Sequence, residues 1–181
     1  WAIRSVGLLS TVILARLLAP DDFGVVAMAM VAVAILQSFT QSGVDLALLR
    51  AETPQREHYD AAWTLEIIQA TVLAAALYLT APLVAGQFED PRVTSVIRAM
   101  SLAALIAGFQ NIGVVNFRRE LNFRREFLFN VYKRLATFFV TVTAALLMRS
   151  YWAMVLGDVV GRVVEVSLSY VMSSYRPRLS L

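Results

Sequence analysis

The chain has 181 residues, 59% of them hydrophobic and 16% charged, with a mean hydropathy of +0.66; a soluble domain carries about 25% charged residues, so composition argues against a water-soluble enzyme or binding module. A net charge of +3 and a pI near 9.6 raise the question of an acidic partner, yet the anionic cytoplasmic face of a bilayer accounts for the same excess, and no nucleic-acid partner is expected. The absence of cysteine removes disulfides, thiolate metal sites and a thiol nucleophile.

The first apolar segment, WAIRSVGLLSTVILARLLAP, reads as a helix over 1–19 interrupted by Arg4 and Arg16, with Pro20, Asp21 and Asp22 supplying its stop and the next start. It runs into ARLLAPDDFG rather than a small-residue cleavage site, so no signal peptide is read. A start at Trp1 makes the chain read as a fragment. The second helix is predicted over 24–44, where no charge interrupts the stretch from Asp22 to Asp45, longer than the roughly 20 residues a helix needs to cross the hydrocarbon core. Gln37, Thr40 and Gln41 mark one of its faces. Asp45 is expected to end that helix, in a turn or beside a cavity. The polar loop RAETPQREHYD follows and holds the single histidine, His58, expected to be solvated.

The third helix is predicted over 61–86, with Glu66 and Gln69 near its start and Pro82 inside, and it too is uncharged from Glu66 to Glu89. GQFEDPR makes an acidic turn. The fourth helix, 93–116, carries Arg98, Gln110 and Asn111, the last two expected to bond between helices. After it comes a six-residue phrase written twice, NFRRELNFRREF. A fifth helix over 127–148, the short turn MRSY and a sixth helix over 151–173 complete the chain before SSYRPRLSL. The sum is an all-α polytopic membrane bundle of about six transmembrane helices in a single domain.

Basic residues sort by alternate loops. One side receives Arg50, Arg56, Arg118, Arg119, Arg124, Arg125, Arg176 and Arg178, eight in all, and the other receives only Arg92 and Arg149. The positive-inside rule makes the first side cytoplasmic, so both chain ends are expected there, and Asp21, Asp22, Glu89 and Asp90 face out. The doubled arginine phrase then reads as an inner-loop anchor, with Phe117, Phe123 and Phe127 at the interface and, if the loop is locally helical, Glu120 paired with Arg124 at i+4.

Charges inside spans cost at least about 2.5 kcal/mol each at mid-membrane and usually face a bundle interior or a wet cavity. In GDVVGRVVEV, Asp158, Arg162 and Glu165 fall at i, i+4 and i+7, a stripe about 60° wide, flanked by Gly157 and Gly161, which let a neighbouring helix approach. Two readings stay open. The acids neutralise Arg162 and glue helices together, or the stripe lines an aqueous cavity with Arg4, Arg16, Glu66 and Arg98. Arg16 and Arg98 could instead snorkel to the outer interface, and Lys133 and Arg134 are expected to snorkel inward. There is no GxSxG, HExxH or GxxxxGK motif; no catalytic residue, metal or cofactor is assigned.

Four phrases carry a resemblance: ARLLAPDDFGVVAMAMV (15–31), FEDPRVTSVIRAMSL (88–102), RRELNFRR (118–125) and SYRPRL (174–179). In order and spacing they resemble the oligosaccharide flippase family of bacterial polysaccharide export, within the MOP exporter superfamily, over nearly the whole chain. The resemblance implies two six-helix lobes around a central cavity, this chain being the N-terminal one and a C-terminal lobe its missing partner. It also implies an inner-membrane location and a polyprenyl-diphosphate-linked glycan as substrate, whose diphosphate would meet cavity arginines. Arg16 fits the family pattern best; Arg4 and Arg162 are inferred from burial. Asp158 and Glu165 would tune the arginine or carry a coupling ion. The alternatives are a cation-coupled drug antiporter of the same superfamily, a membrane-embedded polymerase or transferase, for which the outer loops are short, and a non-transporting membrane scaffold.

Overall fold

The computed structural model describes residues 2–40, 48 and 55–180, and their side chains except for residues 2–5 and 40. The described chain is helical, without a strand: α1 (Ala2–Leu17), α2 (Pro20–Thr40), α3 (Arg56–Gln87), α4 (Arg92–Ala107), a 3-10 turn (Ile112–Val114), α5 (Val115–Arg119), α6 (Phe123–Met148) and α7 (Trp152–Met172). Three helices, within Pro20–Phe39, Arg56–Gln87 and Phe123–Met148, are long and apolar enough to cross a membrane. A fourth crossing is available if α4 and the segment Ile112–Arg119, bent by 68°, act as one. The apolar part of α1, Val6–Leu17, is shorter, and the three charges of α7 break its hydropathy. Bulky side chains such as Leu79, Leu83, Leu147 and Val171 point outward, each more than 70% exposed. Lipid tails are as apolar as leucine, so this surface is stable in a bilayer.

Local chemistry moves several boundaries from their predicted places. Helix α2 begins at Pro20, whose fixed φ and missing N–H suit a first helical position, and the Asp22 carboxylate accepts from the Ala19 amide at 3.1 Å. Helix α3 begins at Arg56, inside the predicted loop, because Gln55 and His58 cap each other: the His58 amide donates to the Gln55 carbonyl at 3.1 Å and the Gln55 amide to His58 Nδ1 at 3.2 Å. His58 is exposed, as expected, but it caps a helix. At 32 residues α3 is about 48 Å long, so it projects well past a hydrocarbon core of about 30 Å. The C-terminal end of the second predicted span, and Asp45 with it, lies outside the described residues.

The fourth predicted helix is the largest departure. It stops at Ala107, and Gly108 through Asn111 leave the helix. Asn111, fully buried, holds the break: its side chain accepts from Gly113 N at 2.9 Å and donates from Nδ2 to the Tyr175 carbonyl at 2.7 Å, while its own amide donates to Ser169 Oγ at 2.9 Å. Backbone that leaves a helix in a membrane protein is tolerated where protein satisfies its polar groups, and here α7 and the segment after it supply partners for Asn111. Gly113 has no room for a side chain, since a Cβ there would collide with Ser173 Oγ and approach Tyr175 Cβ to 2.6 Å.

The helices alternate in direction, so the bundle has two ends. At one end Arg92 bridges Asp90 and Asp21, both at 2.7 Å, and the Tyr151 amide donates to Asp22 at 3.1 Å. At the other, Arg56 donates to the Arg176 carbonyl at 3.4 Å and Arg119 to the Tyr59 hydroxyl at 3.3 Å. The loops counted together in the sequence thus share an end. The main apolar core lies toward the acidic end, where Val25, Ala29, Leu77, Ala81, Val93, Ile97 and Val155 from four helices pack with almost no exposure.

Within the doubled phrase, each copy has its own structure. The first ends α5, and Leu121 takes a positive φ of 53°. The second opens α6 with Asn122 as cap, its side chain accepting from the Arg125 amide at 3.2 Å. Phe117 is buried edge-on against Phe129 at 6.5 Å, whereas Phe123 and Phe127 are exposed. The ion pair expected between Glu120 and Arg124 is replaced by Arg118 with Glu126 at 2.6 Å, because the turn at Leu121 ends the helix that would have aligned the former.

Candidate functional site

Helices α6 and α7 form an antiparallel hairpin with a polar seam. On α7 the residues at every fourth position, Ala153, Gly157, Gly161, Glu165 and Ser169, are buried. On α6 the matching positions are Lys133, Thr137, Thr141 and Ala145. A Cβ on Gly157 would collide with Thr141 Oγ1, and one on Gly161 would lie 2.6 Å from Thr137 Oγ1. Ala145 and Ala153 share one apolar cluster, and Lys133 is ion-paired with Glu165. The seam runs from small and apolar at the acidic end to fully charged toward the basic end. Close approach at small residues lets the longer polar side chains meet.

Glu165 is the hub. Its Oε1 takes the Lys133 ammonium, and its Oε2 accepts from Arg162 at 3.0 Å; Arg162 also lies 3.9 Å from Asp158. The Glu165 side chain is 8% exposed, against 32% for Lys133 and 36% for Arg162, so the carboxylate only borders open space while both cations reach further into it.

That space is two cavities. The one nearer the basic end, about 260 Å³, is lined by Arg118, Glu126, Asn130, Lys133 and Glu165. The other, about 510 Å³, lies between α2, α3, α4 and α7 and is lined by Met30, Gln37, Gln69, Met100, Asp158 and Arg162 among others. Glu66 and Gln110 border both. The break in α4 places Gln110 there, since a straight helix would have carried it onward along its own axis. Among the described residues no cluster of acids and histidine suits a metal ion.

Of the seven charged residues expected at a cavity, the structure brings together Glu66, Asp158, Arg162 and Glu165. Arg16 is exposed in the last turn of α1 and lines neither cavity. Arg98 is exposed on the outer side of α4, with its guanidinium 4.9 Å from the Tyr78 ring centroid; the cation–π contact holds it on the surface. The Arg4 side chain lies outside the described residues. Conversely, Lys133 was expected to snorkel and instead reaches Glu165. A signal for it was present: matching four-residue stripes at equal distances from the MRSY turn.

A second polar cluster closes the basic end. Asp60, buried in α3, accepts from the Tyr175 hydroxyl at 2.7 Å and the Arg178 amide at 2.8 Å, and Thr64 Oγ1 accepts from the Ser180 amide at 3.0 Å. The stretch 173–180 is thereby strapped along α3 and over the α4 break. Burial, helped by the bond to Asp60, pushes the Tyr175 hydroxyl above its ordinary range.

A helical bundle with a lipid-facing surface and polar groups gathered at mid-helix defines a multi-pass membrane protein. Residues 13–181 match the family described as "Polysaccharide biosynthesis protein", and the chain belongs to that family. It is 26% identical over 166 residues to the succinoglycan biosynthesis transport protein ExoT of Rhizobium meliloti, covering 92% of this chain and 34% of that protein. To the lipopolysaccharide biosynthesis protein WzxC of Escherichia coli it is 20% identical over 173 residues, covering 96% of this chain and 34% of the relative. The chain thus spans about a third of the length of these relatives. No solved structure matches it.

Proposed function

We propose that this chain is the N-terminal lobe of a flippase that carries a polyprenyl-diphosphate-linked oligosaccharide across the bacterial inner membrane for polysaccharide assembly. In this reading α1, α2, α3, the bent α4, α6 and α7 are six crossings, the basic end is cytoplasmic, and a second lobe walls the cavities. The observation that carries it is the charged seam, in which Lys133 and Arg162 open toward cavities inside a lipid-facing bundle. Out of water a diphosphate needs cationic hydrogen-bond donors, and arginine offers them in a planar fork. The membrane potential then assists, since moving an anion out of a negative interior is downhill by about 2.3 kcal/mol per charge per 100 mV. The name of ExoT, a transport protein, supports the same reading, which assigns no catalytic residue.

The test uses the complete protein in proteoliposomes with a labelled polyprenyl-diphosphate oligosaccharide. Arg162→Ala is expected to abolish flipping while insertion is kept. Loss of insertion together with flipping supports a scaffold role for the ion pairs, and undiminished flipping removes Arg162 from the path.

A further inference from the structure

The two cations of the seam face different cavities. Lys133 lines the one at the basic end, Arg162 the one between α2, α3, α4 and α7, and neither lines both. Between them stands the Glu165 carboxylate, one oxygen on each cation. We infer that Lys133 and Arg162 are two successive stations for the diphosphate, and that Glu165 is the shared counter-anion that moves between them in exchange. The inference rests on the flippase reading above and deepens it.

The charge count explains why an exchange is feasible. Lys133, Arg162, Glu165 and Asp158 together are neutral, so the empty seam leaves no bare charge in the bilayer. When a phosphate reaches Lys133, Arg162 keeps both carboxylates. When the phosphate passes to Arg162, Glu165 turns fully to Lys133. Each cation holds an anion at every stage, so no step exposes a lone ammonium or guanidinium to a low-dielectric interior. The exposure pattern suits exchange: each cation is about a third exposed and reaches a cavity, and Glu165, 8% exposed, is the less exposed partner of both while bordering the Lys133 cavity, where an incoming anion meets it. At the mouth Arg118 is held by Glu126 in the same way, with the cation again the more exposed member.

An internal competitor lowers the apparent affinity of a ligand by the fraction of time its site is free. Glu165→Gln removes that competitor without changing side-chain shape. In the complete protein in lipid nanodiscs, this variant is expected to bind inorganic pyrophosphate about tenfold tighter than the parent, the size of an ordinary coupling between two sites. In proteoliposomes it is expected to flip the labelled lipid about tenfold more slowly, because the anion is no longer displaced. Lys133→Met combined with Glu165→Gln keeps the seam neutral and guards against a folding defect; it is expected to lose the affinity gain and to flip slowly. Unchanged pyrophosphate affinity in Glu165→Gln, or flipping at the parent rate in the double variant, overturns the exchange while leaving the flippase reading in place. A parent protein that does not flip the lipid overturns both.

Discussion

The acidic and basic halves of the bundle are built from the same helices and solve opposite problems. Toward the acidic end, valines, alanines and leucines from four helices meet with nearly no exposure, and short turns are pinned by Asp90, Arg92 and Asp22. Toward the basic end the apolar packing gives way to Glu66, Lys133, Asp158, Arg162 and Glu165, one helix breaks, and two cavities open. Small side chains bring helices together, and long charged ones hold them apart. In a membrane, where burial of apolar surface gives little drive for helix association, close packing at one end is what makes an open polar region at the other stable.

The comparison can be broken at its closed half. Gly157→Leu drives a side chain into Thr141 at the tightest point of the hairpin and is expected to cost about 3 kcal/mol or more by overpacking, read as loss of the folded protein in detergent melts. At the open half, Asn111→Leu leaves the Gly113 amide and the Tyr175 carbonyl without their partner, at about 1–3 kcal/mol each. Limited proteolysis should then cut the 173–180 strap faster while the α6–α7 hairpin stays protected.

Alkali should also tell the two ends apart, while acid reaches both. A hydrogen bond from the Arg92 side chain holds the Asp90 carboxyl below its ordinary 3.8. A folded-state value below the unfolded one means that this contribution is present above pH 3.8 and is lost as pH falls through the folded value. Tyr175 is raised above its ordinary 10.0, so its contribution is complete below pH 10 and is lost as pH rises beyond that. Hydrogen exchange should show alkali loosening the strap and sparing the turn before α4, whereas acid loosens both, since the Asp60 carboxylate accepts from the Tyr175 hydroxyl and the Arg178 amide of the strap; alkali acting on the turn instead would falsify the assignment. The smallest effect is expected from Arg92→Ala: exposed ion pairs contribute little, so the melting temperature should stay within replicate scatter while the acid response of the turn disappears.

Much of this was legible in the sequence. Charge-free stretches after Asp22 and Glu66 announced long apolar helices, and the alternation of basic loops put Arg56, Arg119 and Arg176 at one end, where the structure has them. The spacing of Asp158, Arg162 and Glu165 on one helix was readable as well. Three things were not. The α4 break depends on Asn111 finding Ser169 and Tyr175, residues about sixty positions away, and no local pattern carries such a partner. Arg98 is a mid-helix charge like Arg162, and it lies outside because α4 packs through Val93, Val96, Ile97 and Met100, leaving Arg98 over the Tyr78 ring. Lys133 lies near the start of an apolar helix, where snorkelling is the ordinary outcome; the four-residue stripes that match across the MRSY turn point to Glu165 only once α6 is laid against α7 as a hairpin.

The seam between α6 and α7 is also a lever. Its fulcrum is the contact of Gly157 with Thr141, where the helices lie closest and α7 contributes no side chain of its own. Phe123, at the far end of α6, is 18 residues from Thr141, or about 27 Å along the axis. A tilt of about 10° at the fulcrum sweeps Phe123 through about 5 Å, the rise of one helical turn, while the alanines near the turn shift far less. A small rotation at the two glycine positions would thus change the width of the basic mouth by far more, with the Lys133–Glu165 pair partway along the arm.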